Sequence, residues 1–264
     1  MSGFYIGVDG KARKVKGGYI GVDGKARKIK KGYIGVDGVA RLCYSDISFD
    51  PVFANNTWEN VVVACQTNQV PDTWSVGDQM TMTIDGTDYA IDIIGKNHDD
   101  YSDGSGKAPL TFQLHDCYET KYAMNEGNTN GGSWHSSMMC TTHLVDIFKL
   151  LPVMVRNNIR EVTKKTSKGS TQSTLISSDN KLFLLSEIEI LGTRGGNSYA
   201  GEGSRYDYYL NGGSVIKHIN SNPTKWWTRS PTNGTGSFVT IVENGMATSN
   251  GASTFNAVSF AFCF

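Results

Sequence analysis

The chain has 264 residues, of which 39% are hydrophobic and 11% aromatic, and its formal net charge is zero. This composition is typical of a globular protein and argues against an intrinsically disordered chain. No run of about 18 apolar residues is present, so we expect no membrane-spanning helix and no membrane insertion. The first residues lack the charged and apolar regions of a signal peptide, which predicts synthesis in the cytoplasm.

The charges are unevenly distributed along the chain. Positions up to 41 hold ten Lys and Arg and three Asp, a net charge of +7, so the remainder carries −7. The evenly spaced Asp residues interrupt the basic rows, and we therefore expect no nucleic-acid partner. The five cysteines are far apart in sequence, which favours reduced, mostly buried thiols.

An internal repeat occupies residues 1–43. Tyr5, Tyr19 and Tyr33 recur every fourteen residues, and each begins a short β-prone run that leads to Asp-Gly. In the first two copies a Lys/Arg-rich run follows, and in the third copy Arg41 follows. Asp-Gly between extended segments favours a type I′ turn, so each copy is predicted to be a β-hairpin. One such hairpin is too small to be stable alone. The repeats indicate an attachment or oligomerisation arm, and the alternative is a solvated arm with charged edges.

The globular domain is predicted to cover residues 44–264 and to begin with strands. Alternating residues in 80–84 and 89–94 flank Asp85-Gly86 and predict a hairpin with one apolar face. Residues 110–114 resemble a further strand.

The hydrophobic period then becomes helical. Leu144, Ile147, Phe148 and Leu151 predict one helix, and Pro152 is expected to begin a second helix. That second helix would carry the residues Val155, Ile159 and Val162 and would end at Lys164-Lys165. Residues 166–174 are interpreted as an exposed loop and 182–191 as a buried strand. The order of strands, two helices and strands predicts the α+β class.

Candidate chemistry is sparse. Asp99, Asp103 and Gly104 match positions one, five and six of a calcium loop. Position three is Tyr101, and position twelve, where a bidentate carboxylate is needed, is Leu110, so the metal site is a weak candidate. The alternative is an Asx-turn loop with local side-chain hydrogen bonds. Glu187 and Glu189 would face the same way on a strand and could act as an acid/base pair. Pairing of one of them with Arg229 in the core is the favoured interpretation. We expect no enzyme activity and no cofactor.

The C-terminal segment is the most informative part of the sequence. Trp226, Trp227 and Arg229, together with Glu187, are predicted structural anchors. Between the Trp pair and the final strand, 17 of the 27 residues in 230–256 are Ser, Thr, Asn or Gly. Short neutral polar side chains on turns are typical of binding loops; the alternative is a Gly/Asn-rich hairpin region without a ligand. The predicted ligand-binding residues are Thr232, Asn233, Thr235, Ser237, Phe238, Thr240, Glu243, Asn244, Met246, Thr248, Asn250, Thr254 and Asn256.

Several motifs together resemble one known family. They are the Gly-Tyr-Ile-Gly-Val-Asp-Gly repeats, Asn97-His98-Asp99-Asp100, Gly132-Ser133-Trp134, 181–190, Trp226-Trp227-Thr228-Arg229-Ser230-Pro231 and Phe260-Ala261-Phe262-Cys263. The chain resembles the C-type-lectin-like domains encoded by phages and prophages of Gram-positive bacteria. The resemblance implies a C-type-lectin-like fold with two helices and antiparallel strands, related to that of formylglycine-generating enzymes. In some such domains, the variable proteins of diversity-generating retroelements, the segment after the Trp pair is rewritten.

The calcium motifs of sugar-binding lectins and the copper-binding cysteine pair of the oxidases are absent from this sequence, so neither calcium-dependent sugar binding nor oxidase chemistry is expected. Together with the repeat arm and the polar C-terminal segment, the resemblance implies a virion-associated tail or fibre protein, made in a bacterial cytoplasm, that binds a host cell-surface protein or glycan. Its arm would contact other virion proteins, and a homo-trimer is expected. The alternatives are a structural decoration or assembly subunit and, third, an enzyme of the formylglycine-generating class.

Overall fold

A computed structural model describes residues 5–8, 10–14, 18–36, 38–45 and 48–264. The chain divides into two compact units, Met1–Trp74 and Ser75–Phe264. The predicted boundary after residue 43 stays a prediction. Within the described ranges, no helix is both long and apolar enough to cross a membrane.

Three antiparallel hairpins begin the first unit. They are β1 (Tyr5–Val8) with β2 (Lys11–Lys14), β3 (Tyr19–Val22) with β4 (Lys25–Lys28), and β5 (Lys31–Val36) with β6 (Val39–Ser45). Asp23 and Gly24 have φ of 51° and 71°, so the predicted positive φ at both turn positions is confirmed there.

The first unit ends with a small helical core that the sequence reading missed. A 3₁₀ turn (Phe53–Asn55) precedes α1 (Trp58–Gln66), whose N-cap Thr57 accepts a hydrogen bond from the backbone of Asn60. The Trp74 indole N–H donates to the carbonyl of Asp50 at 2.9 Å. This buried indole ties the end of the first unit to the segment before α1.

Two larger sheets organise the second unit. The four-stranded sheet has the order β19-β9-β8-β7 and contains β7 (Gln79–Ile84), β8 (Thr87–Lys96), β9 (Leu110–Leu114) and β19 (Ala261–Cys263). The predicted β7–β8 hairpin and the strand at 110–114 are confirmed. The five-stranded sheet contains β10 (Tyr118–Tyr122), β15 (Trp226–Pro231), β16 (Ser237–Ile241), β17 (Ala247–Gly251) and β18 (Asn256–Val258). The order of these strands in the sheet is β10-β18-β15-β16-β17.

Two further hairpins and short helices complete this unit. The hairpins are β11 (Val162–Gly169) with β12 (Gln172–Asn180), and β13 (Lys217–Ile219) with β14 (Asn222–Thr224). The helices are a π-helical turn (Met139–His143) that continues into α2 (Leu144–Leu150), then α3 (Val153–Arg156), α4 (Glu187–Leu191) and α5 (Asp207–Leu210).

The predicted second helix is wrong beyond its first turn. It ends at Arg156, and Val162 begins strand β11. Val162, Lys164 and Thr166 alternate as buried side chains along β11, so a burial period of two prevails over the helical spacing, and the β-branched Val162 and Thr166 favour the strand. The predicted exposed loop at 166–174 is also wrong, since these residues form the end of β11, the hairpin turn and the beginning of β12.

The predicted strand at 182–191 is wrong as well. Ser186 and Glu189 form a capping box at the start of α4, and Gly192 ends the helix with φ of 70°. Glu187 and Glu189 therefore lie on a helix, not on one face of a strand.

The α+β assignment and the two-helix C-type-lectin-like fold are corrected by these findings. Strands make up 38% of the structure and helices 16%, and the strands form several sheets. The helices of the second unit are short and do not form the two-helix arrangement that the resemblance implied.

Candidate functional site

A buried ionic network lies inside the second unit. It consists of Asp99, Lys164, Glu189 and Arg229, and each of these residues is at most 4% exposed. Arg229 forms two hydrogen bonds with the carboxylate of Glu189, one of them 2.9 Å from Nη2 to Oε1, so the predicted pairing is confirmed. The Lys164 Nζ lies 2.9 Å from Glu189 Oε1 and 2.6 Å from Asp99 Oδ1. Two cations and two carboxylates thus connect β11, β15, α4 and the segment after β8.

Each charge in the ionic network has partners that offset its burial. Burial alone would raise the pKa of Asp99, but the charge of Lys164 and hydrogen bonds from Lys164 and Thr111 lower the pKa to about 2. Burial likewise opposes ionisation of Glu189, but the charges of Arg229 and Lys164 lower its pKa. Tyr206 also donates to Asp99, at 2.8 Å. Because these groups are paired and closed to solvent, they connect the elements that carry them and are not accessible to a substrate.

Two further buried carboxylates attach neighbouring segments to this region. Glu202 accepts hydrogen bonds from the backbone of Ser167 and from the hydroxyl of Ser230, and its burial raises its pKa. The predicted anchor Glu187 accepts from the backbone of Gly196 and the hydroxyl of Ser198. The buried carboxylate of Glu187 therefore fixes the position of segment 195–198.

The other predicted anchors are also buried. Trp226 and Trp227 are fully buried on β15, and their indole N–H groups donate to the carbonyls of Val215 at 3.1 Å and Tyr122 at 2.8 Å. Strand β15 is thus fixed at both of its faces before the polar C-terminal segment begins.

The weak calcium candidates do not come together. Asp99 lies inside the ionic network, whereas Asp103 is at the surface and pairs with Arg160 at 2.7 Å. In the described part of the chain, no group of three or more His, Cys, Asp and Glu side chains is arranged to hold a metal ion.

Asn130 connects several loops at one end of the five-stranded sheet. Its side chain is buried, and its amide nitrogen donates at 2.9 to 3.2 Å to three carbonyls around the β15–β16 turn, those of Thr232, Gly234 and Ser237. Its amide oxygen accepts from the backbone of Ser170, at the tip of the β11–β12 hairpin, at 2.8 Å. One side chain therefore fixes the backbones of two separate turns.

Close backbone approach reinforces these connections. A Cβ added to Gly169 would lie 2.1 Å from the carbonyl oxygen of Asn130, so this tip requires glycine. Asn128 accepts from both the backbone and the hydroxyl of Ser253. The backbone of Asn233 donates to the carbonyl of Asn197 at 2.9 Å. We define the loop cluster as residues 125–131, 169–172, 195–198, 232–236 and 251–255.

The structure divides the predicted ligand-binding residues into three groups. Four are buried and offer no surface to a ligand, which corrects their assignment: Thr232, Phe238, Thr240 and Asn256. Six are exposed, but Asn233, Thr235 and Thr254 lie in the loop cluster while Glu243, Asn244 and Met246 lie at the other end of the β16–β17 hairpin. Three are partly exposed: Ser237, Thr248 and Asn250.

The two exposed groups cannot form one compact site. Five-residue β16 separates them, a length of roughly 14 Å at about 3.4 Å per residue. Phe255, which is not among the predicted ligand-binding residues, is 68% exposed within the loop cluster. The position of Phe255 between polar residues was its only sequence signal.

Two grooves elsewhere in the described part of the second unit are lined by side chains that can react or titrate. One groove of about 340 Å³ lies beside α2, and its lining includes Cys140, Phe148 and Lys181. Burial raises the pKa of the Cys140 thiol to about 11, so the thiol is protonated at neutral pH and is a poor nucleophile. A smaller groove of about 180 Å³ borders Asp116 and His218, which pair with each other at 3.0 Å.

Comparison with known proteins places the chain in a family. A domain of unknown function, DUF6273, matches residues 111–263, which is more than half of the chain, and the chain therefore belongs to that family. No curated protein and no solved structure matches it. The matched region includes the whole loop cluster and all of the ionic network except Asp99.

Proposed function

We propose that this protein is a non-enzymatic binding protein that uses the loop cluster to recognise a macromolecular surface. The observation that carries the proposal is the buried Asn130, whose side chain holds the β15–β16 turn and the tip of the β11–β12 hairpin in fixed positions. Loops on a rigid scaffold lose little entropy on binding, and binding sites are often built in this way.

The chemistry of the exposed residues supports the same proposal. The loop cluster presents short uncharged polar side chains, among them Asn233, Thr235 and Thr254, and also the exposed ring of Phe255. Such side chains supply hydrogen bonds, and an aromatic ring supplies contact area at low entropic cost. A protein or a glycan on a cell surface fits this combination better than a strongly charged ligand does.

The biological setting belongs to the same proposal. The resemblance to phage- and prophage-encoded proteins supports a place on a virion, in a tail or fibre, with a host cell-surface protein or glycan as ligand. The N-terminal hairpins would then contact other virion proteins or further copies of this chain.

Intact Gram-positive bacterial cells provide a test of the binding role. Labelled full-length protein would be titrated onto a panel of strains, with a quadruple variant in the loop cluster: Asn233→Ala, Thr235→Ala, Thr254→Ala and Phe255→Ser. We expect this variant to bind at least about tenfold more weakly, because the changes remove central contacts. The matched control changes the other end of the same hairpin: Glu243→Ala, Asn244→Ala and Met246→Ala.

The control should bind as the unchanged protein does. Equal losses in both variants, or no loss in either, would contradict the assignment of the loop cluster.

A second candidate function is that of a structural assembly subunit. Four apolar residues of the repeated hairpins are 50–64% exposed: Tyr19, Ile20, Tyr33 and Ile34. Exposed apolar side chains that recur along a chain favour burial in an assembly. In full-length protein, Tyr19→Ser with Tyr33→Ser should lower the mass measured by light scattering if the hairpins hold copies together. A monomeric unchanged protein would contradict self-assembly through these hairpins.

A further inference from the structure

Strand β17 forms one edge of the five-stranded sheet. It pairs with β16, in the register Thr240 with Thr248, and among the described residues no other strand pairs with it. An edge strand presents unpaired backbone donors and acceptors, which natural proteins usually cover or protect.

The hydrogen bonds at both ends of the hairpin show which backbone groups point outward. Val242 donates to the carbonyl of Met246 at 2.8 Å, and Ala252 donates to the carbonyl of Gly236 at 2.9 Å. Because bonded pairs alternate along an antiparallel ladder, residues 248 and 250 of β17 point their backbone groups toward β16. Residues 247, 249 and 251 therefore point theirs away from the sheet.

Five of these six outward groups have no hydrogen-bond partner among the described residues. They are the N–H and C=O groups of Ala247 and Ser249 and the N–H of Gly251. The sixth, the Gly251 carbonyl, accepts from the backbone of Thr254 at 3.0 Å. The donors recur at about 6.8 Å, which is the spacing of outward groups in a facing strand.

The edge also lacks the usual protection against pairing. Strand β17 has the sequence Ala-Thr-Ser-Asn-Gly, without a charge or a proline. At the opposite edge of the same sheet, β10 exposes Glu119 and Lys121. Charged side chains of this kind discourage the addition of a strand. One edge of the sheet is therefore protected, and the other edge, which leads directly into residues 251–255 of the loop cluster, is open.

We propose that β17 receives an extended polypeptide segment of the partner protein, which pairs with it as an added strand. This inference rests on the proposed function and narrows its ligand class to proteins. Backbone hydrogen bonds to Ala247 and Ser249 would supply affinity, and side chains of the added strand would reach Thr254 and Phe255 at its end.

Ser249 provides a sharp test, because its N–H is not part of the ladder with β16. Ser249→Pro removes an outward donor and leaves the sheet intact, since proline is tolerated at an edge where the N–H faces solvent. Ser249→Ala is the matched control, which removes the hydroxyl and keeps the N–H. A library of linear random peptides would be selected on the full-length protein, and the enriched peptides would be titrated onto both variants.

We expect Ser249→Pro to weaken peptide binding by about tenfold or more, because it removes one backbone hydrogen bond and its ring blocks the added strand sterically. The affinity of Ser249→Ala for the same peptides should stay within about twofold of that of the unchanged protein. In hydrogen exchange, bound peptide should protect the amides of residues 247, 249 and 251. Equal binding by both variants, equal loss in both, or a selection without enriched peptides would overturn the inference. Self-association that Ser249→Pro abolishes would also overturn it, because the occupant would then be a second copy.

Cell binding by the two kinds of variant distinguishes strand addition at β17 from recognition by the loop cluster. If the loop-cluster quadruple variant loses binding to cells while Ser249→Pro binds normally, the loop cluster binds its ligand without strand addition. If only Ser249→Pro loses binding to cells, strand addition occurs and the role of the loop side chains is wrong.

Discussion

The ionic network and the loop cluster are both rich in polar groups, but they differ in charge and exposure. The ionic network holds formal charges in the interior, and each charge faces an opposite charge at 2.6 to 2.9 Å or through shared hydrogen bonds. The loop cluster holds mostly uncharged side chains at the surface, and its buried asparagine bonds to backbone rather than to charge. Charge inside must be matched by a fixed partner, whereas uncharged surface groups remain free to accept a new one.

The largest effect is expected from removing one charge of the ionic network. Arg229→Met leaves the carboxylate of Glu189 buried beside a single cation, Lys164, and should lower the free energy of unfolding by about 3–5 kcal/mol. Urea denaturation measures this loss of unfolding free energy. The double variant Arg229→Met with Glu189→Leu should recover part of the loss, because no unpaired carboxylate remains. A loss below about 1 kcal/mol in the single variant would show that the pair is not a major anchor.

The acid dependence of stability should reveal Asp99. Its pKa in the folded protein is about 2, below the ordinary value of 3.8, so the stabilisation is complete above the ordinary value and is lost as the pH falls toward 2. The difference corresponds to about 2 kcal/mol. Unfolding measured between pH 5 and pH 2 should show this loss, and Asp99→Asn should flatten the curve over that interval. An unchanged slope in Asp99→Asn would contradict the assignment.

Removing Asn130 tests how the loop cluster is held. Asn130→Ala leaves the carbonyls of Thr232 and Gly234 and the N–H of Ser170 without this partner, and should cost about 2 kcal/mol. Hydrogen exchange should accelerate in 169–172 and 232–236 but not in the ionic network. Asn128→Ala is the control, with a cost below about 1 kcal/mol because Asn128 is exposed. Equal losses of unfolding free energy in the two variants would show that Asn130 does not hold the loop cluster more strongly than Asn128 does.

Turns and one buried ion pair could be predicted from the sequence because their signals are local or chemically restrictive. Asp85-Gly86 adopts positive φ at both positions, as such a dipeptide favours, and so does Asp23-Gly24. The pairing of Arg229 with a glutamate followed from the high cost of burying either one alone. Helix α4 was missed although Ser186 and Glu189 have capping-box spacing, because the continuous apolar run before them is equally typical of a buried strand.

The loop cluster could not be predicted, because its central contacts are distant in sequence. Asn130 bonds to carbonyls 102 to 107 residues further along the chain. The alternation assumed for the C-terminal segment also failed at β16, where Phe238, Val239 and Thr240 are all buried because both faces of the sheet are covered. Only tertiary packing decides which of these polar residues reach the surface.

The smallest effect on stability is expected at the surface of the loop cluster. Phe255→Ser changes a side chain that is 68% exposed and should alter the free energy of unfolding by less than about 0.5 kcal/mol. Thermal and urea denaturation check it. A loss above about 2 kcal/mol would mean that this ring is part of the fold and not of a binding surface.

The most direct test of the central claim is a library that diversifies four exposed positions of the loop cluster together: Asn233, Thr235, Thr254 and Phe255. Folded members would be selected first by resistance to protease, and binding to a panel of Gram-positive cells would be measured second. We expect most members to stay folded, because the ionic network and Asn130 are unchanged, and we expect members to differ in the strains they bind. Widespread unfolding, or cell binding that is independent of these four residues, would contradict recognition by the loop cluster.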